Sequence, residues 1–256
     1  MKRTYVLAID VGNTTITVGL FQGRKLLRKT KIPTHKPHLY GRDLKRFVCK
    51  PGGRGGAITD AIIASVVPFA VGSLVKAIRK VAGPPVHVTG RDVTIPIANR
   101  YKEKAEVGQD RLVNAYAAGK IYGTPAVIID FGTAVTFDIV GKGGAYLGGL
   151  IMPGIGISLS SLYERTALLP KVALREAKSI IAKDTVNSMR GGILFGFGAM
   201  CDGLIARYRA LLGANMKVIA TGGNAALVKK HARSIKIIDD DLTLKGLMML
   251  RLKKVI

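Results

Sequence analysis

The sequence lacks tryptophan and has only two cysteines, four histidines and 16 acidic residues in 256. Cys49 and Cys201 form neither a disulfide framework nor a metal-ligand spacing, so they read as buried or incidental thiols suited to a reducing cytoplasm. Long apolar runs are missing too. The longest uncharged stretch, Gly143 to Tyr163, carries six glycines and Pro153, which excludes a membrane helix there and predicts strands and turns. Met1-Lys2-Arg3 leads straight into a strand-like run, so no signal peptide is expected. Aromatic residues make up 6%, with no basic tail, aromatic-rich single-strand motif or DNA-reading module.

What is present is a large apolar fraction, 48%, enough to bury a sizeable core and to exclude general disorder. The length suits one large domain or two ordinary ones. Lysine and arginine total 40, giving a net charge of +24. The cations are spread along the whole chain and read as a solvated basic surface, with nucleic-acid binding at most non-specific.

The first half begins with a continuously apolar run, Tyr5 to Ile9, closed by Asp10. Gly12-Asn13 is a hairpin signal and Thr14 to Leu20 alternates as a returning strand. A turn at Gln22-Gly23-Arg24 leads to a third strand, Lys25 to Ile32. The pattern returns 120 residues later: Ala126 to Ile129, Asp130, Gly132-Thr133, Ala134 to Val140, a glycine turn, and Ala145 to Met152. Short strands and helices follow each triple strand. Strands are expected at 61–65, 86–88, 217–220 and 235–238, and helices at 69–81, 154–165, 188–212, 224–232 and 242–252. The reading is two α/β halves, 1–100 and 101–256, each a mixed sheet covered by helices, with a nucleotide cleft between them.

Two carboxylates at the ends of central strands are costly unless they meet cations, and a nucleotide triphosphate with its metal supplies them. Glycine turns let backbone N–H groups approach phosphate oxygens, and Thr14, Thr15 and Thr133 add hydroxyl donors. Asp10 then faces the magnesium that accompanies ATP. A lone Asp-x-Gly-Asn is usually an ordinary hairpin; the equivalent Asp-Phe-Gly-Thr in a second half argues otherwise. Thr221-Gly222-Gly223-Asn224 adds a glycine turn before a helix, suited to adenosine and its phosphates.

Several segments occur in a telling order: Asp10-Val11-Gly12-Asn13-Thr14, Ser65-Val66-Val67-Pro68, Gly108-Gln109-Asp110-Arg111-Leu112 and Asp130-Phe131-Gly132-Thr133-Ala134. Gly148-Gly149-Leu150-Ile151-Met152-Pro153-Gly154, Arg165-Thr166-Ala167-Leu168-Leu169-Pro170 and Thr221-Gly222-Gly223 complete the series. The chain resembles the acetate and sugar kinase, Hsp70 and actin superfamily, with duplicated ribonuclease H-like halves. More narrowly, it resembles the type III pantothenate kinases.

The resemblance implies ATP-dependent phosphorylation of the primary hydroxyl of pantothenate, the first committed step toward coenzyme A. It implies that Asp10, Val11, Gly12, Asn13, Thr14, Thr15, Ile16 and Thr17 hold the nucleotide phosphates, with Thr133 opposite. Asp130 would bind a monovalent cation, potassium or ammonium. Asp110 would be the base, with Tyr101, Gly108, Gln109, Asp110, Arg111 and Thr185 lining the pantothenate pocket. It also implies a homodimer with that pocket at the subunit interface.

The residues support parts of this independently. An acceptor alcohol needs a carboxylate to orient it and take its proton, and Asp110 follows a glycine at a helix start. Arg111 suits an anionic group of the substrate. An exposed helix-start ion pair at Asp110-Arg111, and a packing role for Tyr101, are the alternatives. The basic, glycine-rich segment 33–56 has no counterpart in the family pattern, and 184–188 matches it only loosely. Two other functions compete: a non-catalytic, nucleic-acid-associated regulator on the same fold, and a kinase of another small alcohol. The first predicts lost aspartates, yet Asp10, Asp110 and Asp130 are all present.

Overall fold

The computed structural model describes residues 3–49 and 56–253; residues 50–55 of the basic segment 33–56, and Lys254 at the end of the last basic stretch, lie outside the described residues. In chain order the elements are β1 (Arg3–Val11), β2 (Thr15–Gln22), β3 (Lys25–Pro33), α1 (Tyr40–Val48), β4 (Gly56–Ser65), α2 (Pro68–Ala82) and β5 (Val86–Val88). Then come α3 (Gln109–Tyr122), β6 (Ala126–Phe131), β7 (Ala134–Val140), β8 (Tyr146–Pro153), α4 (Ile155–Glu164) and α5 (Thr185–Leu212). The chain closes with β9 (Lys217–Thr221), α6 (Ala225–Lys229), β10 (Ile237–Ile238) and α7 (Leu242–Lys253). By contact, Met1–Ile97, Lys102–Ala117 and Asp241–Ile256 form one compact unit, and Ala98–Tyr101 with Ala118–Asp240 form the other.

The first unit is built on a five-stranded sheet in the order β3-β2-β1-β4-β5. β1 runs antiparallel to β2 and parallel to β4, so it is central, which is why Leu7, Ala8 and Ile9 are apolar without alternation. Leu7, Ile9, Val11, Ala61 and Ile63 share a core with Leu44 and Phe47 of α1 and Leu74 and Ile78 of α2. In α2 the buried residues Ala70, Leu74 and Ile78 recur every fourth position, forming one helix stripe. Each such leucine or isoleucine contributes about 1.5–3 kcal/mol on burial. Pro68 opens α2 and Gly83, at φ 71°, ends it. α7 packs on the residues of opposite parity: Leu244 lies over Gly19, and Gly246 lies against Val113 and Ala117 of α3. Arg251 of α7 also donates to the buried Asp60 of β4.

The second unit repeats the plan. Its five-stranded sheet runs β10-β9-β6-β7-β8, which read backwards is the order of the first. β6 is central, antiparallel to β7 and parallel to β9. Asp10 and Asp130 are each the penultimate residue of their central strand, paired with Thr17 and Thr136. The likeness reaches a detail: the second and third strands of both sheets lose register after the sixth residue of the second strand, at Leu20/Phe21 and at Ile139/Val140. Val127, Ile129, Phe131, Val135 and Phe137 share a core with Cys201 and Ile205 of α5. At 28 residues α5 is long and apolar enough to span a bilayer, but Leu194, Gly198, Cys201 and Ile205 are buried in the protein, as befits a core helix.

The structure differs from the sequence-based elements at several places, beginning with β4, which starts at Gly56 rather than at 61. The helix expected over 224–232 ends at Lys229, because the Asp202 carboxylate takes the N–H groups of Arg233 and Ser234 at 3.0 and 2.7 Å. The strand expected over 235–238 shortens to Ile237–Ile238. α5 starts at Thr185 rather than Ser188, since Asp184 caps it by accepting from the Asn187 N–H at 2.9 Å. Segment 33–56 contains the unforeseen α1, whose buried Tyr40, Leu44 and Phe47 are spaced for one helix face among exposed cations.

Candidate active site

In the first unit, the turn between β1 and β2 leaves Asn13 and Thr14 exposed and Thr15 and Thr17 half-buried. Val11 and Ile16 are fully buried, so they can offer a ligand only their main chain. The turn is held from inside. Gly12 N donates to Thr15 O at 3.1 Å, Thr34 N donates to Thr14 O at 3.2 Å, and Thr34 Oγ1 donates to Gly12 O at 2.7 Å.

The Ser65–Pro68 turn abuts this hairpin, with Val66 N donating to Val11 O at 3.1 Å and Ser65 Oγ accepting from Val67 N at 3.0 Å. Val66 in turn touches the start of α3: a Cβ on Gly108 would lie 3.3 Å from Val66 Cγ1. The same Cβ would lie 2.5 Å from Asp110 Oδ1, so only glycine lets the Asp110 carboxylate fold back over residue 108. Gln109 packs on Gly90, whose φ of +78° and closeness to the Gln109 amide, 2.8 Å from a Cβ, also require glycine. The hairpin and the Gly-Gln-Asp-Arg helix start, distant in sequence, are neighbours through Val66.

Asp110 Oδ1 accepts from Arg111 N at 2.8 Å. Protein atoms surround most of the carboxyl, though one edge stays open to solvent. Burial pushes its pKa above the ordinary carboxylate value, and the Arg111 N–H and charge offset part of that rise. A carboxylate whose charged form is poorly solvated is a stronger base than a surface one. Arg111 itself is buried.

In the second unit three glycine turns converge on Asp130 and Thr133. A Cβ on Gly222, where φ is +88°, would sit 2.4 Å from Asp130 Oδ1 and 2.7 Å from the Phe131 backbone. A Cβ on Gly132 would sit 3.3 Å from the same carboxylate oxygen, and one on Gly154 would sit 1.9 Å from Thr133 O. Asp130 is also register-paired with Thr221. The Thr-Gly-Gly turn after β9 therefore lies directly against the Asp-Phe-Gly-Thr turn after β6. Thr133 is exposed.

Tyr101 and Thr185 also belong to this unit. The Tyr101 ring lies over Gly148, where a Cβ would be 3.4 Å away, with its centroid 6.5 Å from that of Tyr146. Thr185 is exposed at the first turn of α5. Sequence reading missed Thr34, Tyr40 and Gly90. Thr34 and Tyr40 sit in a segment dominated by lysine and arginine, and Gly90 is one glycine among 31.

Comparison with known proteins places this arrangement. The profile of the type III pantothenate kinase family matches residues 6–207. The chain is 40% identical to a type III pantothenate kinase of Geotalea uraniireducens over 251 residues, covering 96% of this chain and 97% of that one. It is 40% identical to another from Moorella thermoacetica, covering 94% and 96%. Among solved structures, a putative Baf family transcriptional activator from Campylobacter jejuni aligns over 97% of this chain and 98% of its own, at TM-score 0.57 and 18% identity. MreB 5 of Spiroplasma citri bound to AMPPNP aligns over 100% and 98%, at TM-score 0.55 and 10% identity; at such identities these two speak for the fold alone. With its duplicated sheets of the actin, Hsp70 and sugar kinase fold, the chain belongs to the type III pantothenate kinase family, the ATP-dependent kinases that phosphorylate pantothenate for coenzyme A biosynthesis.

Proposed function

We propose that Asp110 is the general base of this pantothenate kinase and that the two Asp-Gly turns grip the nucleotide. The Asp110 carboxylate accepts the proton of the primary hydroxyl as its oxygen attacks the γ-phosphorus and the bond to the ADP oxygen breaks. The carrying observation is the carboxyl group itself, folded over Gly108 and made more basic by burial. Gln109, seated on Gly90, fixes the turn that presents it; Arg111 suits the anionic group of pantothenate, and Tyr101 and Thr185 are further pantothenate-binding residues. The main chain of residues 11–16 and the hydroxyls of Thr14, Thr15, Thr17 and Thr133 bind phosphate oxygens, with Asp10 toward the magnesium of MgATP.

A monovalent cation, potassium or ammonium, fits Asp130. No group of three or more His, Cys, Asp or Glu able to hold a metal ion occurs among the described residues, so a cation here would rest mainly on neutral oxygens beside Asp130. Being glycines, Gly222 and Gly132 place no Cβ of their own over that carboxylate. Such an ion supplies positive charge beside the phosphates; Asp130 holds and orients it. The working protein is a cytoplasmic homodimer. The dimer is supported by large exposed apolar side chains in the second unit, among them Ile151 and Leu168, the latter 92% exposed. Sedimentation at micromolar concentration tests the dimer.

A coupled kinase assay across small alcohols, with potassium present and absent, tests the function. Turnover confined to pantothenate and dependent on the cation is expected. Equal turnover of another alcohol would shift the substrate assignment.

A further inference from the structure

We infer that Thr34, held by Tyr40, is the positioning residue that aims the backbone donors of the β1–β2 hairpin at the nucleotide phosphates. The inference rests on the reading of that hairpin as a phosphate grip and gives a role to two residues of the basic segment 33–56.

The argument is one of peptide geometry. In a trans peptide the C=O and the following N–H point in opposite directions. The only cis bond among the described residues is Thr124–Pro125, so the hairpin peptides are trans. Thr34 Oγ1 donates to Gly12 O at 2.7 Å, which turns the N–H of Asn13 to the opposite side. Thr34 N donates to Thr14 O at 3.2 Å, which does the same for the N–H of Thr15. One residue thus captures two hairpin carbonyls and sets the direction of two donors, one in the Gly12–Asn13 peptide and one in the Thr14–Thr15 peptide.

Thr34 is itself fixed. It is fully buried, directly after β3, and its own carbonyl accepts from the Tyr40 hydroxyl. Tyr40 opens α1 with its ring in the core beside Leu44, and burial pushes its hydroxyl pKa up, which keeps the donor protonated. The chain of constraint therefore runs from the core through Tyr40 and Thr34 to the hairpin. A grip that must meet phosphate oxygens without reorganising needs such a brace, since preorganised donors bind and stabilise charge better than mobile ones.

The test is ATP affinity by calorimetry, with kcat and the KM for pantothenate on the same preparations. Thr34→Val keeps the shape and removes the hydroxyl. It should weaken ATP binding about two- to tenfold, the range for one lost hydrogen bond, while the pantothenate KM stays within about twofold, well inside that range. Thr34→Ser should restore wild-type ATP affinity. An unchanged ATP affinity in Thr34→Val, or a loss in Thr34→Ser as large as in Thr34→Val, overturns the inference. If Thr34→Val does not fold, Tyr40→Phe carries the test: weaker ATP binding with unchanged pantothenate KM is expected, and unchanged ATP binding overturns the brace. Asn13→Pro, which deletes one of the two backbone donors, separates the two readings. If this variant folds, as judged by melting, and its ATP affinity is unchanged, the hairpin is not the grip, and that reading fails whatever Thr34→Val does.

Discussion

Replacing Asp110 by asparagine should separate catalysis from stability, because the proposed role as base and the burial of the carboxylate pull the two in opposite directions. An asparagine oxygen can still accept from Arg111 N, now 2.8 Å from Oδ1, and is no larger, so the contact over Gly108 survives. The amide cannot take the hydroxyl proton. We expect kcat to fall by roughly 10² to 10⁴, the usual worth of a positioned base, with the lower end favoured if the phosphoryl transition state is loose. ATP affinity should hold.

Stability should move the other way. Burial raises the folded-state pKa of Asp110 above its unfolded value, so the folded protein prefers the protonated acid. Below the ordinary carboxylate range both states are protonated and there is no cost. As pH rises through the window between the unfolded and folded pKa values the unfolded state ionises first, and wild type loses stability. Above that window the loss is complete. Asparagine carries no charge, so the variant should be the more thermostable above the window, and the gap should close in acid. The acid limb of kcat/KM in wild type should likewise lie above the unperturbed carboxylate value of 3.8. Stopped assays at saturating substrates, with thermal unfolding at several pH values, measure all of this. A kcat within about threefold of wild type, far below the range for a lost base, refutes the assignment. A stability gap that does not change with pH refutes the electrostatic argument.

Gly222→Ala should cost about 1–2 kcal/mol for its left-handed backbone and about 1–3 kcal/mol for overpacking against the Phe131 peptide. Calorimetric melting should fall by roughly 5–15 °C, taking about 2–4 °C per kcal/mol, and an unchanged Tm would contradict the geometry. Asp130→Asn should weaken activation by potassium and raise the ATP requirement while dimerisation and melting stay intact; an unchanged potassium dependence moves the cation elsewhere. The net charge of +24 predicts weak nucleic-acid binding that collapses with added salt through counterion uptake. A sequence-selective complex at physiological salt, seen by fluorescence anisotropy, would show a specific interface instead.

The sequence by itself determined the features that live within about ten residues. An apolar run closed by Asp10 or Asp130, then a glycine turn and an alternating strand, encodes a central strand and its hairpin, because burial on both faces and turn geometry are local demands. Their repetition exposed the duplicated fold, and the order of the glycine and aspartate segments exposed the family. Tertiary structure decided what depends on contacts between distant segments. Gly222 reads only as part of a glycine turn before a helix until β9 pairs with β6 and brings it against the Asp130 carboxylate. The return of α7 to the first sheet is decided by distant contacts, with Leu244 lying over Gly19 and Arg251 meeting Asp60. Thr34 looks like one polar residue in a basic stretch, since nothing in periodicity tells a buried hydroxyl that clasps a turn from one that faces water. That distinction is made by the partner, and the partner, Gly12, lies 22 residues away.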